Sequence, residues 1–182
     1  MGSTLIVDNI QGATVSTDID LSGVTNLKTP AGTVLQTVLF ENDQTQTNHS
    51  SISSSGSFVN TGNTATITPK FATSKILIIV ADPIHGDSDQ DGHHEYCGWR
   101  LYRGTSTVLK TFAYGGTENL TMLTARGGQS AVVTMSTMHL DSPATTSAVT
   151  YKTMVNRYSS GNRTLRINWP GTQSMTLMEI SQ

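Results

Sequence analysis

Lys75-Ile-Leu-Ile-Ile-Val-Ala81 sets five apolar side chains in a row, Ile76 to Val80, just ahead of Asp82-Pro83. An uninterrupted apolar run this short reads as a strand buried on both faces. Downstream, Tyr96–Arg103 alternates instead: Cys97, Trp99 and Leu101 on one face, Tyr96, Arg100 and Tyr102 on the other. The same period of two recurs in Leu165, Ile167 and Trp169, and again in Thr176, Met178 and Ile180. Residues 34–40, 64–68, 107–114, 129–140 and 147–158 are further β-prone runs; Pro69, which cannot donate to a ladder, closes the second. Nowhere do apolar residues recur with a helical period. About eight or nine strands in roughly 150 residues, with turn residues between them, predict an all-β fold: an antiparallel jelly-roll-like sandwich. An immunoglobulin-like sandwich is compatible with the same pattern. No internal repeat of solenoid or propeller length is present.

Composition agrees. Only 13% of the 182 residues are charged, and Ser and Thr together fill about a quarter of the chain. Thr is stiff at χ1 and favours strands, whereas long exposed helices draw on Glu, Lys and Arg. Net charge is −2 and no basic run occurs, which speaks against nucleic acid as a partner. No apolar stretch is long enough to cross a bilayer as a helix, so membrane insertion is not expected. The single cysteine, Cys97, cannot close an intrachain disulfide. Phe58, Phe71, Trp99, Phe112, Tyr151 and Trp169 are the expected core rings, with Met135, Met154 and Met178 filling gaps between sheets.

Residues 1–30 differ from the rest. Leu5, Ile6, Val7 and Ile10 form one short apolar run before a Gly/Thr/Asp-rich stretch, too little for a core of its own. The segment reads as an N-terminal arm for attachment or intertwining, with Pro30 and Gly32 marking the boundary to a β-sandwich domain over 31–182.

Residues 82–95, Asp-Pro-Ile-His-Gly-Asp-Ser-Asp-Gln-Asp-Gly-His-His-Glu, are the most charged segment and read as a loop between two strands. Asp87, Asp89 and Asp91 before Gly92 match the opening of a calcium loop, in which alternate carboxylates converge on one hard cation. The bidentate Glu of that pattern would fall at position 98, which is Gly98; Glu95 is the substitute ligand. The competing reading is a solvated acidic loop that binds no cofactor. His85, His93 and His94 could gather another divalent metal on a symmetry axis. Catalysis finds little support: no G-x-S-x-G elbow exists to organise His139 and Asp141, and Asp141 before Ser142-Pro143 reads as turn chemistry.

An ordered series of segments resembles a known family. It runs Gly32-Thr-Val-Leu-Gln-Thr-Val38, Asn60-Thr-Gly-Asn-Thr-Ala-Thr-Ile-Thr-Pro69 and Ser74-Lys-Ile-Leu-Ile-Ile79. It continues with Trp99-Arg-Leu-Tyr-Arg-Gly104, Leu140-Asp-Ser-Pro-Ala-Thr-Thr-Ser-Ala-Val-Thr-Tyr151 and Leu177-Met-Glu-Ile180. These resemble the C-terminal β-domain of tail-fibre and virion structural proteins of tailed phages of the cyanophage and marine type. Ser3-Thr-Leu-Ile-Val-Asp-Asn-Ile-Gln-Gly12 is similar to their N-terminal segments. The resemblance implies a non-enzymatic homotrimeric virion appendage, a fibre or spike assembled in the host bacterial cytoplasm. Its arm (Leu5, Ile6, Val7, Ile10) would dock onto other virion proteins. The segment 82–95, with His85, His93 and His94, departs from the family pattern and becomes the expected contact loop, for instance toward a host surface glycan. Two alternatives stay open: a trimeric capsid decoration (cement) protein, and a carbohydrate-binding module.

Overall fold

The computed structural model describes residues 30–43, 50–52, 58–87, 96–112, 120–121, 130–157, 165–168 and 171–182. Among these the regular structure is all strand: β1 (Val34–Asn42), β2 (Ser50–Ile52), β3 (Val59–Ile67), β4 (Lys75–Asp87), β5 (Tyr96–Arg103) and β6 (Thr107–Phe112). β7 (Leu120–Thr121), β8 (Ser130–Asp141), β9 (Val149–Arg157), β10 (Leu165–Ile167) and β11 (Gln173–Ile180) follow. Two antiparallel sheets result. Sheet A runs β1-β11-β4-β8, with β10 and β2 continuing from the far end of β4; sheet B runs β3-β9-β5-β6, with β7 beside β5. Setting aside the short strands β2, β7 and β10, the two four-stranded orders are those of a jelly roll, two Greek keys folded into a sandwich.

Between the sheets lie Ile76, Ile78, Val80 and Ile84 of β4, Met175 and Leu177 of β11, Cys97, Trp99 and Leu101 of β5, and Tyr151 and Val155 of β9. The β5 alternation is as expected. The β4 run is not buried on both faces: Ile76, Ile78 and Val80 are buried, whereas Leu77 and Ile79 are half-buried on the outer face. On β11 the core face is Gln173, Met175, Leu177 and Glu179, the opposite of the expected Thr176, Met178 and Ile180. The polar pair can point inward because both side chains find partners there. Phe71 is exposed in the turn before β4 and Phe58 lies beneath Arg100 on the outer side of sheet B, so neither is a core ring. Trp169 lies outside the described residues, as do residues 1–29 of the arm over 1–30.

The largest departure from the sequence reading is that β4 does not stop at Ala81. It runs through Pro83 to Asp87, paired along its length with β8. On its other edge β4 pairs with β11 from Lys75 to Ala81 and with β10 from Ile84 to Gly86. Pro83 sits at the changeover. Its carbonyl accepts the Asn168 N–H at 2.8 Å on that edge, so the N–H that proline lacks would have pointed at the gap between two partners. Asn168 holds this corner from a left-handed φ of 61°. Its Oδ1 accepts the Gln173 N–H at 3.0 Å, and its Nδ2 donates to Asn42 O at 3.0 Å. Gly171, at φ 144°, closes against the Pro83 ring, where an added Cβ would come within 2.8 Å of Cγ. Gly171→Ala should therefore cost about 2 kcal/mol, from backbone strain and the clash together, read as a lowered urea midpoint at unchanged slope.

Candidate functional site

Strand parity decides which polar side chains enter the sandwich. Asp82 shares the parity of Ile76, Ile78 and Val80 and is completely buried. Its Oδ1 accepts Asn63 Nδ2 at 2.7 Å and Gln173 Nε2 at 3.3 Å, and its Oδ2 accepts the Trp99 indole N–H at 2.7 Å. The donors come from β3, β11 and β5, so one carboxyl group ties the two sheets together. Around it, Asn63 Nδ2 donates to Ser174 O at 3.0 Å and Gln173 Nε2 to Thr61 O at 3.1 Å. The hydroxyls of Thr61 and Thr153 bond to each other. Burial pushes the Asp82 carboxyl above its ordinary range, while hydrogen bonds from Asn63, Thr153, Trp99 and Gln173 pull it back. A carboxyl group with no exposed surface and both oxygens engaged is placed to organise a core, not to meet a substrate.

Glu179 is the counterpart at one end of sheet A. Its Oε2 accepts Gln36 Nε2 at 2.6 Å, and its Oε1 accepts the Lys70 and Phe71 N–H groups at 2.8 and 3.2 Å. Burial alone would raise its carboxyl, but the nearby Ser74 hydroxyl and the hydrogen bonds from Gln36, Phe71 and Lys70 outweigh it and hold the group below its usual value. A lowered folded value means the stabilisation is full above the unfolded value and is lost as pH falls through the folded one. Glu179→Gln should thus cost about 1–2 kcal/mol near neutral pH, and the deficit should shrink on acidification below about pH 4. Urea titrations of both proteins across that range measure it.

Asp141 makes the second inter-sheet tie. It is the last residue of β8, not a turn residue as expected, and is buried. Arg103 Nη1 of β5 reaches both of its oxygens at 2.9 Å, and the Tyr151 hydroxyl of β9 donates to Oδ2 at 2.8 Å. Burial and the adjacent carboxylate push the Tyr151 phenol up. His139 lies two residues earlier on the same strand, half-buried.

The residues singled out from sequence fare differently. His85 belongs to β4, not to a loop, and is 2% exposed, so it is no surface contact. Asp87 is the last residue of β4. Asp89, Asp91, Glu95, His93, His94, Leu5, Ile6, Val7 and Ile10 lie outside the described residues. Among the described residues no group of three or more His, Cys, Asp or Glu side chains is placed to hold a metal ion. Motif reading overlooks Asp82, Gln173 and Glu179. The signal that reveals them is parity: each sits two residues beyond, or before, an aliphatic side chain bound for the core.

The outer faces of the two sheets contrast. Sheet B is polar outside: the Arg100 guanidinium lies 4.1 Å over the Phe58 ring, and the Thr66 and Thr150 hydroxyls meet at 2.8 Å. Sheet A is apolar outside. Cross-strand register aligns Leu39, Thr176, Ile79 and Met138 in one row and Thr37, Met178, Leu77 and Leu140 in the next. Leu39, Met138 and Leu140 are 58%, 66% and 51% exposed.

No family model matches this chain, and no curated protein does. Among solved structures, a chain from the structure of infectious bursal disease virus, Gx strain, is similar over 80% of this chain, at 13% identity and a TM-score of 0.39. This chain corresponds to 38% of that one.

Proposed function

We propose that this is a non-enzymatic structural protein of a tailed-phage virion, a homotrimeric fibre- or spike-like appendage whose β-domain faces outward. The observation that carries the reading is the full jelly-roll strand order, an architecture shared by viral shell proteins and lectins. Fold alone does not select a function. The series of segments resembling phage virion proteins favours the structural role, with the arm over residues 1–30 attaching to the particle. The buried carboxyl groups support a non-catalytic reading: Asp82, Glu179 and Asp141 each accept hydrogen bonds from neighbouring strands or turns.

The experiment is protein stoichiometry in purified phage particles by quantitative mass spectrometry. A copy number following tail or vertex symmetry supports the appendage. Hundreds of copies would make it a capsid decoration protein instead. Absence from particles, together with glycan affinity of the isolated domain, would favour the carbohydrate-binding module, for which the polar outer face of sheet B is the suitable surface.

A further inference from the structure

We infer that the outer face of sheet A, centred on Leu77, Ile79, Met138, Leu140 and Met178, is a self-association surface occupied by a second copy of this chain. Three features of the face lead there. Its central positions carry no charge, so a copy laid on it brings no unpaired ion into the contact. It ends at β8, a strand of 12 residues that among the described residues pairs only with β4. Exposed edges in soluble proteins are normally guarded by Lys, Pro or acidic residues. Ala131 through Leu140 contain none of these, and Val132, Met138 and Leu140 all point outward and exposed.

Size selects the occupant. Four strands about 4.8 Å apart and some 20 Å long give a footprint of roughly 400 Å². One extended segment, such as residues 5–10, would cover roughly half of that, leaving either Leu39 or Leu140 in water. The like face of another copy covers both rows at once. Stable association buries about 800 Å² of accessible surface per partner, and side-chain relief together with the bare β8 edge supplies area beyond the flat footprint. Laid like on like, two copies make a two-fold contact, so the face and its occupant stand on these exposures and do not depend on the trimeric reading above.

The test uses the full chain and two measurements. Light scattering should give an assembly, and Met138→Lys with Leu140→Lys should reduce it to one chain while near-ultraviolet circular dichroism is retained. Val108→Lys, at an exposed apolar position of β6 in sheet B, should leave the mass unchanged. Without any substitution, Met138 in the assembly should resist dilute hydrogen peroxide nearly as well as buried Met175, read by peptide mass spectrometry. An assembly that survives the double substitution, or in which Met138 oxidises as fast as in the urea-unfolded chain, overturns the inference. So does a monomeric full chain with Met138 protected, which would hand the face to residues 1–29. An assembly of two chains that meets both criteria upholds this interface and removes the trimeric reading.

Discussion

Asp82→Asn lowers the unfolding free energy by about 3 kcal/mol near neutral pH, although the replacement is almost isosteric. The carboxyl group accepts on both oxygens, from Asn63 and Gln173 on one side and Trp99 on the other. An amide accepts on one side only. Whichever way it turns, its NH2 faces a donor, leaving a buried N–H without an acceptor. Because Asp82 titrates above its ordinary value when folded, the native protein gains stability relative to the variant as pH falls through that range. The deficit of Asp82→Asn should therefore widen on acidification, where that of Glu179→Gln narrows. Urea midpoints at neutral and acidic pH separate the two. A deficit independent of pH would mean that Asp82 is ordinary in its titration.

Trp99→Ala is the largest single loss expected, about 4–5 kcal/mol, and soluble yield should collapse with it. The ring is fully buried and packs edge-to-face on Phe112 with centroids 5.3 Å apart. Trp99→Phe separates volume from polarity: it keeps an aromatic ring and removes the N–H that Oδ2 of Asp82 accepts. Its cost should be about 1–2 kcal/mol. In a double-mutant cycle with Asp82→Asn the two changes should be strongly non-additive, because the clash between the introduced amide and the indole vanishes when the indole does. Additive effects would show that the hydrogen bond at 2.7 Å contributes little.

The strands legible in the sequence are those whose alternation is carried by large apolar residues. Tyr96–Arg103 appears in the structure with the expected bounds and the expected inward face. What misleads is polarity on an inward position and proline inside a central strand. Asp82-Pro83 reads locally as a turn, because only the distant Asn168, Gln173 and Trp99 make an inward Asp and a missing N–H tolerable. The inward face of β11 is misread for the same reason: Gln173 and Glu179 look like solvent residues until their partners on β3 and in the turn before β4 are known. The short strands β2 and β7, of three and two residues, carry too little pattern to be seen without the strands they pair with.

The strand order has a temporal side. β11, the last strand, lies between β1 and β4 in sheet A, and Ser181 exchanges backbone hydrogen bonds with Gly32 and Thr33 at the start of the domain. A chain emerging from the ribosome must hold β1 and the inner edge of β4 unpaired until β11 has been made. Such non-local closure makes folding slow and exposes strand edges while it waits. A message truncated before Gln173 would release a product without the middle of its main sheet. Such fragments should aggregate during translation, so the layout limits which incomplete products survive to compete with the intact protein.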